Sequence, residues 1–206
     1  MEVLKQFLFG EINGIEDECK LIDALQDTTI DALMQIITDN KELIKPITAK
    51  VIPQFSNIND VDIVIRVIND SVDEISRQYI GYMINKNSSE AAQIKYGENH
   101  LKLAIMLGLV TENPYGVTKI GKEYMKLSED HRQAIRAKLA MRIPLVQYLL
   151  VYSQEKVVDG TEYLKSILSE KTAIRRRSNA KTLIKCICQQ ASLDLRKQIL
   201  NNIVWS

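Results

Sequence analysis

The densest basic cluster in the chain is Arg175, Arg176 and Arg177, followed one helical turn later by Lys181. Guanidinium groups donate paired hydrogen bonds to phosphate oxygens, so such a run is suited to the backbone of a nucleic acid. Cations at the start of a helix meet the positive end of its dipole, which favours an anion there. The alternative is a solvated basic face that pairs with acidic residues of the same chain.

Two further groups of polar residues could contact a nucleic acid. One follows helical spacing and comprises Gln93, Lys95, Asn99, His100 and Lys102; the other surrounds a turn and comprises Asn113, Tyr115 and Lys119. Amide, imidazole and ammonium groups on an exposed helix can reach base edges, whereas a tight polar turn can approach phosphates. The alternative for His100 is a half-buried histidine without a binding role, and the alternative for the module is docking on a protein.

The sequence lacks the patterns on which common enzyme sites depend. It has no phosphate-binding G-x-x-x-x-G-K-[ST] loop, no G-x-S-x-G elbow and no H-E-x-x-H pair. Asp60 and Asp62 are paired carboxylates, but no acidic-x-Lys partner in a strand-like context accompanies them, as a Mg²⁺-dependent nuclease needs. We therefore expect no catalytic residue, metal or cofactor; a degenerate nuclease subunit is a third, weaker hypothesis.

Composition and charge limit the class of protein. The 206 residues are 46% hydrophobic and 26% charged, with no apolar run near the roughly 20 residues of a membrane span. Neither Cys186 and Cys188, one residue apart, nor the isolated Cys19 predicts a disulfide, and no secretory signal is visible, so we expect a cytoplasmic protein. The net charge of +1 divides into −7 for residues 1–70 and +8 for residues 71–206. Such asymmetry favours an anionic partner for the basic part.

Periodicity and caps predict a mainly α fold in three regions. Residues 1–57 form an acidic helical region with a short edge strand between Pro46 and Pro53; it could cap the core, mediate dimerisation or cover the basic surface. Residues 58–130 have the order helix, helix, turn, helix, small hairpin, helix, which is typical of a winged helix-turn-helix. Residues 131–206 form a basic helical region, with a second candidate helix-turn-helix at 159–190.

Three stretches carry a resemblance to a known family. They are residues 97–110 (GENHLKLAIMLGLV), 117–124 (VTKIGKEY) and 172–182 (TAIRRRSNAKT). Together they resemble the winged-helix DNA-binding modules attached to prokaryotic type II restriction endonucleases and related defence proteins. The resemblance covers about residues 58–190, and it implies double-stranded DNA binding in a restriction-type or defence setting without implying cleavage.

These observations predict a non-enzymatic double-stranded DNA-binding protein. It would be a regulator, or a specificity or accessory component of a restriction-type or defence system, acting as a homodimer or within a larger complex. The basic cluster would capture DNA by charge, and the helix around Asn99 would then enter a groove. The alternative is an adaptor subunit whose winged helix docks on a partner protein.

Overall fold

A computed structural model describes residues 2–10, 18–71 and 75–206 of the chain, and 73% of the fold is helical. The prediction of a mainly α fold is therefore confirmed. The predicted helix start at residues 15–17 lies outside the described residues, and so do residues 72–74, which complete a capping box predicted to begin at Ser71.

The N-terminal part of the chain contains three helices and three short 3-10 turns. The helices are α1 (Glu2–Phe9), α2 (Glu18–Asp27) and α3 (Ile30–Asp39), and the turns are Lys41–Leu43, Ala49–Val51 and Ile58–Asp60. Thr29 caps α3 by accepting a hydrogen bond from the Ala32 amide, as a residue of its type at a helix start should. The prediction of an edge strand between Pro46 and Pro53 is wrong. These residues form a 3-10 turn and extended backbone, and they pair with no strand in the described part of the chain.

The middle of the chain has the predicted order of elements. It contains α4 (Val61–Asp70), α5 (Arg77–Ile84), α6 (Glu90–Met106), β1 (Val110–Thr111), β2 (Gly116–Val117), α7 (Lys119–Lys126) and α8 (Glu129–Ala140). β1 and β2 pair antiparallel, with Val110 opposite Val117, so the predicted hairpin is present. Asn113, at its tip, has a φ of 59°, a left-handed conformation that asparagine tolerates better than most residues.

The C-terminal part contains α9 (Pro144–Glu155), β3 (Val158–Asp159), α10 (Gly160–Ile167), α11 (Glu170–Gln190), α12 (Leu193–Asn202) and β4 (Ile203–Val204). A two-residue connection joins α10 to the basic helix α11. The predicted C-terminal helix ends at Asn202, and the chain continues into β4, which pairs parallel to β3.

The chain packs as two compact units. Met1–Ile52 and Ala134–Ser206 form one of them, which we call the flanking unit, and Pro53–Gln133 form the other, the central unit. The predicted regions 1–57 and 131–206 correspond closely to the two segments of the flanking unit. Their hydrogen bonds explain the pairing: Lys138 donates to the Leu25 and Gln26 carbonyls at the end of α2, and Gln147 donates to the Leu8 carbonyl at 2.9 Å. Carbonyls at helix ends lack partners within the helix, so these side chains complete them.

A buried polar network joins three helices of the central unit. The Tyr124 hydroxyl donates to Asp62 Oδ1 at 2.7 Å, and Arg132 Nε lies 2.9 Å from Asp62 Oδ2. Asp62 is on α4, Tyr124 on α7 and Arg132 on α8. A buried carboxylate is tolerated when it is paired and hydrogen-bonded, so Asp62 has a structural role here rather than the metal-binding role tested in the sequence.

Helices α5 and α6 approach each other at backbone contact distance. A Cβ atom built on Gly81 would lie 1.7 Å from the Gln93 carbonyl oxygen, and one on Gly97 would lie 1.8 Å from the Arg77 carbonyl oxygen. The two contact points are one turn apart on both helices, with the residue order reversed, so the helices run antiparallel there. The two helices of a helix-turn-helix cross instead at about 90–120°.

We predict that Gly97→Ala lowers the free energy of unfolding by at least about 1–3 kcal/mol, since the new methyl group forces two rigid backbones apart. Urea unfolding followed by circular dichroism measures the change. Gly116→Ala is the matched control, because its Cβ would meet only Thr111 Oγ1, at 3.2 Å. Equal stability of the Gly97 variant and the wild type would contradict the close approach.

Candidate nucleic-acid interface

Two of the predicted contact residues on α6 point into the central unit. His100 is fully buried, and its Nε2 atom lies 3.2 Å from the Ser56 amide, which donates to it. Nδ1 donates to the Tyr96 carbonyl at 2.8 Å, and Asp60 Oδ2 lies 3.3 Å from Nε2. Gln93 is also buried, and its amide donates to the Ser88 carbonyl at 3.0 Å. The prediction that His100 and Gln93 contact DNA is wrong, because both side chains are buried and their polar atoms have partners inside the protein.

The two predicted lysines on α6 are exposed but share one carboxylate. Lys95 Nζ and Lys102 Nζ each lie 2.8 Å from an oxygen of Glu98. Hydrogen bonds from Lys102 and Lys95 lower the pKa of Glu98 to about 2. The exposed face of α6 therefore carries largely compensated charge, and half-buried Asn99 is the remaining uncharged candidate on it.

Because the pKa of Glu98 is lower in the folded protein, its ion pairs stabilise the fold above the ordinary pKa of 4.5, and this stabilisation is lost as the pH falls towards 2. We predict that Glu98→Gln lowers the free energy of unfolding by about 0.2–1 kcal/mol at pH 7, the range of exposed ion pairs. Urea titrations at pH 7 and pH 3 measure it, and the difference from wild type should shrink at pH 3. A difference that grows at pH 3 would contradict the assignment.

The hairpin residues are accessible, and one of them is fixed. Asn113 and Lys119 are exposed, whereas Tyr115 is half-buried and its hydroxyl accepts a hydrogen bond from Arg77 Nη2 at 3.2 Å. Arg77 lies at the first position of α5, so this bond ties the hairpin to the start of that helix. Arg77 was missed in the sequence because no local pattern links it to Tyr115, 38 positions away. The preceding cap, Ser76, marks the start of the helix but does not indicate this contact.

The predicted basic cluster on α11 contains side chains that bind the protein backbone and side chains that are exposed. Arg176 is half-buried and donates to the Ile52 carbonyl at 2.6 Å; burial, together with the charge of Arg175, lowers its pKa. Arg177 donates to the Ser206 carbonyl at 2.6 Å. Arg175 is exposed, and so is Lys181, whose Nζ lies 5.8 Å from the centre of the Trp205 ring. Arg175 and Lys181 are therefore the accessible cations of the predicted cluster.

These two residues belong to a longer cationic face. We use the term α11 basic face for Lys171, Arg175, Lys181 and Lys185, which are all exposed. At about 100° and 1.5 Å per residue, they occupy an arc of about 120° and a length of about 21 Å. Within the part of the chain that the structure describes, none of the four lies within ion-pair distance of a carboxylate. Lys171 was missed in the sequence because it was placed in a turn before the helix.

Other chemistry finds little support among the described residues. No group of three or more His, Cys, Asp or Glu side chains is placed to hold a metal ion in residues 2–10, 18–71 and 75–206. Burial raises the pKa of the free thiols Cys186 and Cys188, which keeps them protonated and poorly nucleophilic. No helix in the same ranges is long and apolar enough to cross a membrane.

Comparisons with protein-family models, with curated proteins and with solved structures find no match to this chain.

Proposed function

We propose that this chain is a non-enzymatic double-stranded DNA-binding protein whose main contact surface is the α11 basic face. The observation that carries the proposal is the set of four exposed cations along one side of a single helix, none of which lies within ion-pair distance of a carboxylate in the described ranges. Isolated like charges on one surface repel each other, and an anionic polymer relieves this repulsion while releasing its counterions. A length of about 21 Å matches several phosphates of a duplex, which carries one negative charge per about 1.7 Å.

The central unit has a secondary role in the proposed function. Its order of elements supports a winged-helix assignment in which β1 and β2 are the wing, with Asn113 and Lys119 at or beside it. Two observations reduce the contribution that we expect from α6 to reading base edges. This helix runs antiparallel to α5 in close contact, and its two lysines pair with Glu98. We therefore assign backbone binding to α11, and groove contact to Asn99 and the wing. The restriction-type or defence setting stays a prediction from the resemblance.

We predict that Lys171/Arg175/Lys185→Gln weakens binding to a random 30-base-pair duplex and lowers the slope of log K against log salt by about 2 to 3, since each lost phosphate contact removes about 0.9. Fluorescence anisotropy of labelled duplex across several salt concentrations measures both quantities.

The matched control is Lys5/Lys41/Lys45→Gln, which removes the same charge from the same unit at residues outside α11. Its salt slope should equal that of the wild type. Equal losses in the two triple variants would indicate binding through net charge alone, and no binding by the folded wild type at low salt would refute DNA binding.

An adaptor role is the second candidate, and a specific observation favours it. The central unit carries nine basic and eleven acidic residues, and it exposes three large apolar side chains on α5 and α6: Tyr79 (49%), Tyr82 (41%) and Ile94 (43%). Exposed aromatic and aliphatic side chains on a nearly neutral surface are typical of a protein interface.

We predict for the adaptor role that a photo-crosslinking phenylalanine analogue at position 82 captures one protein in cells, and that Ile94→Asp abolishes this capture while leaving duplex binding unchanged. Immunoblotting and mass spectrometry of the crosslinked species provide the measurement. Capture that survives Ile94→Asp would contradict this interface.

A further inference from the structure

Residues 203–206, which we call the strap, lie across the beginning of α10. Two of them form β4, with Ile203 opposite Val158 and Val204 opposite Asp159 of β3. The Ser206 amide then donates to the Asp159 carboxylate, with distances of 3.3 and 3.4 Å to its two oxygens. Asp159 also caps α10 by accepting from the Thr161 and Glu162 amides. Burial alone would raise the pKa of Asp159, but the hydrogen bonds from Ser206 and from these amides outweigh burial and lower it. The strap is thus fixed to the same carboxylate that caps the helix.

A glycine at the start of α10 makes room for the Trp205 ring. A Cβ atom on Gly160 would lie between 2.5 and 2.8 Å from three carbons of the indole. Any other residue at this position would therefore displace the ring. The three atoms nearest to such a Cβ all belong to the strap, so a glycine here allows the strap to pack against α10.

The strap also contacts two cations of α11. Arg177 Nη1 donates to the Ser206 carbonyl at 2.6 Å, and Lys181 Nζ lies 5.8 Å from the centre of the Trp205 ring. The Trp205 ring attracts a cation without neutralising its charge. Lys181 stays exposed, so its side chain is held against the ring while its charge remains available.

We propose that the strap is a positioning element for DNA binding, in which Trp205 orders the Lys181 side chain before the duplex arrives. This inference rests on the proposed function. A long cationic side chain loses rotamer freedom when it contacts phosphate, and a side chain that is already ordered loses less of it. Trp205 is thus a positioning residue for Lys181 of the α11 basic face.

The test separates position from charge. Gly160→Ala displaces the ring and leaves every charge in the chain unchanged. We expect duplex affinity to fall by about three- to tenfold at every salt concentration, from lost ordering of the Lys181 side chain, with the wild-type salt slope. Lys181→Gln should instead lower the slope by about 0.9. The residue that reports release of the strap is Trp205, the only tryptophan of the chain, whose emission should shift to the red in Gly160→Ala.

Trp205→Ala is the second variant, since it removes the ring without a new contact at the helix start, and circular dichroism verifies folding of both. Unchanged or tighter binding after release of the strap would overturn the proposal and indicate that the strap masks the surface. An equal fall in affinity for the control Lys5/Lys41/Lys45→Gln would also overturn it.

The wild type gives an independent readout: Trp205 emission should change on addition of duplex, with the midpoint found by anisotropy. If anisotropy detects no binding of duplex by the wild type, the proposed function itself is refuted.

Discussion

Backbone contact between α5 and α6 is the constraint on which the central unit depends. At this separation no side chain fits at Gly81 or Gly97, so the two helices have one register. Gln93, Gly97, His100 and Ala104 recur at helical spacing and must then lie on the inner side of α6. The same register turns Lys95 and Lys102 outwards, to either side of Glu98. The contact therefore decides which polar residues of α6 face solvent.

Cations in the flanking unit are divided between helix ends and solvent. Lys138 completes the end of α2, and Arg196 donates to the Cys188 carbonyl at 2.6 Å and to the Gln189 carbonyl at 3.1 Å near the end of α11. A cation at a C-terminal end satisfies carbonyls and also complements the helix dipole. Arg176 similarly serves the Ile52 carbonyl. A count of basic residues therefore overstates the charge available to a partner, and four of the cations that stay exposed lie together on the α11 basic face.

Sequence patterns predicted the helices and the hairpin better than the burial and the long-range contacts of their side chains. Caps and turn residues such as Thr29 and the Asn113 turn identified a helix start and the hairpin, because these signals act over a few residues. The burial of His100 was missed because Ser56 and Asp60, which contact its Nε2 atom, lie 40 or more positions away in the sequence. The edge strand failed because a strand needs a partner, and none lies beside residues 47–52. The pairing of the two flanking segments depends on bonds spanning more than 100 residues, such as Lys138 to Gln26.

The divided flanking unit has a consequence for synthesis on the ribosome. The central unit is continuous in the chain, so its residues are all available once position 133 has emerged. Helices α1 to α3 emerge earlier but lack the side chains of α8 and α9 that complete their ends. Nascent domains fold as units in the order of synthesis. Helices α1 to α3, although made before the central unit, thus belong to the unit that closes later, and their apolar side chains, such as Phe7, Leu21 and Leu33, reach their folded surroundings only once α8 and α9 have emerged.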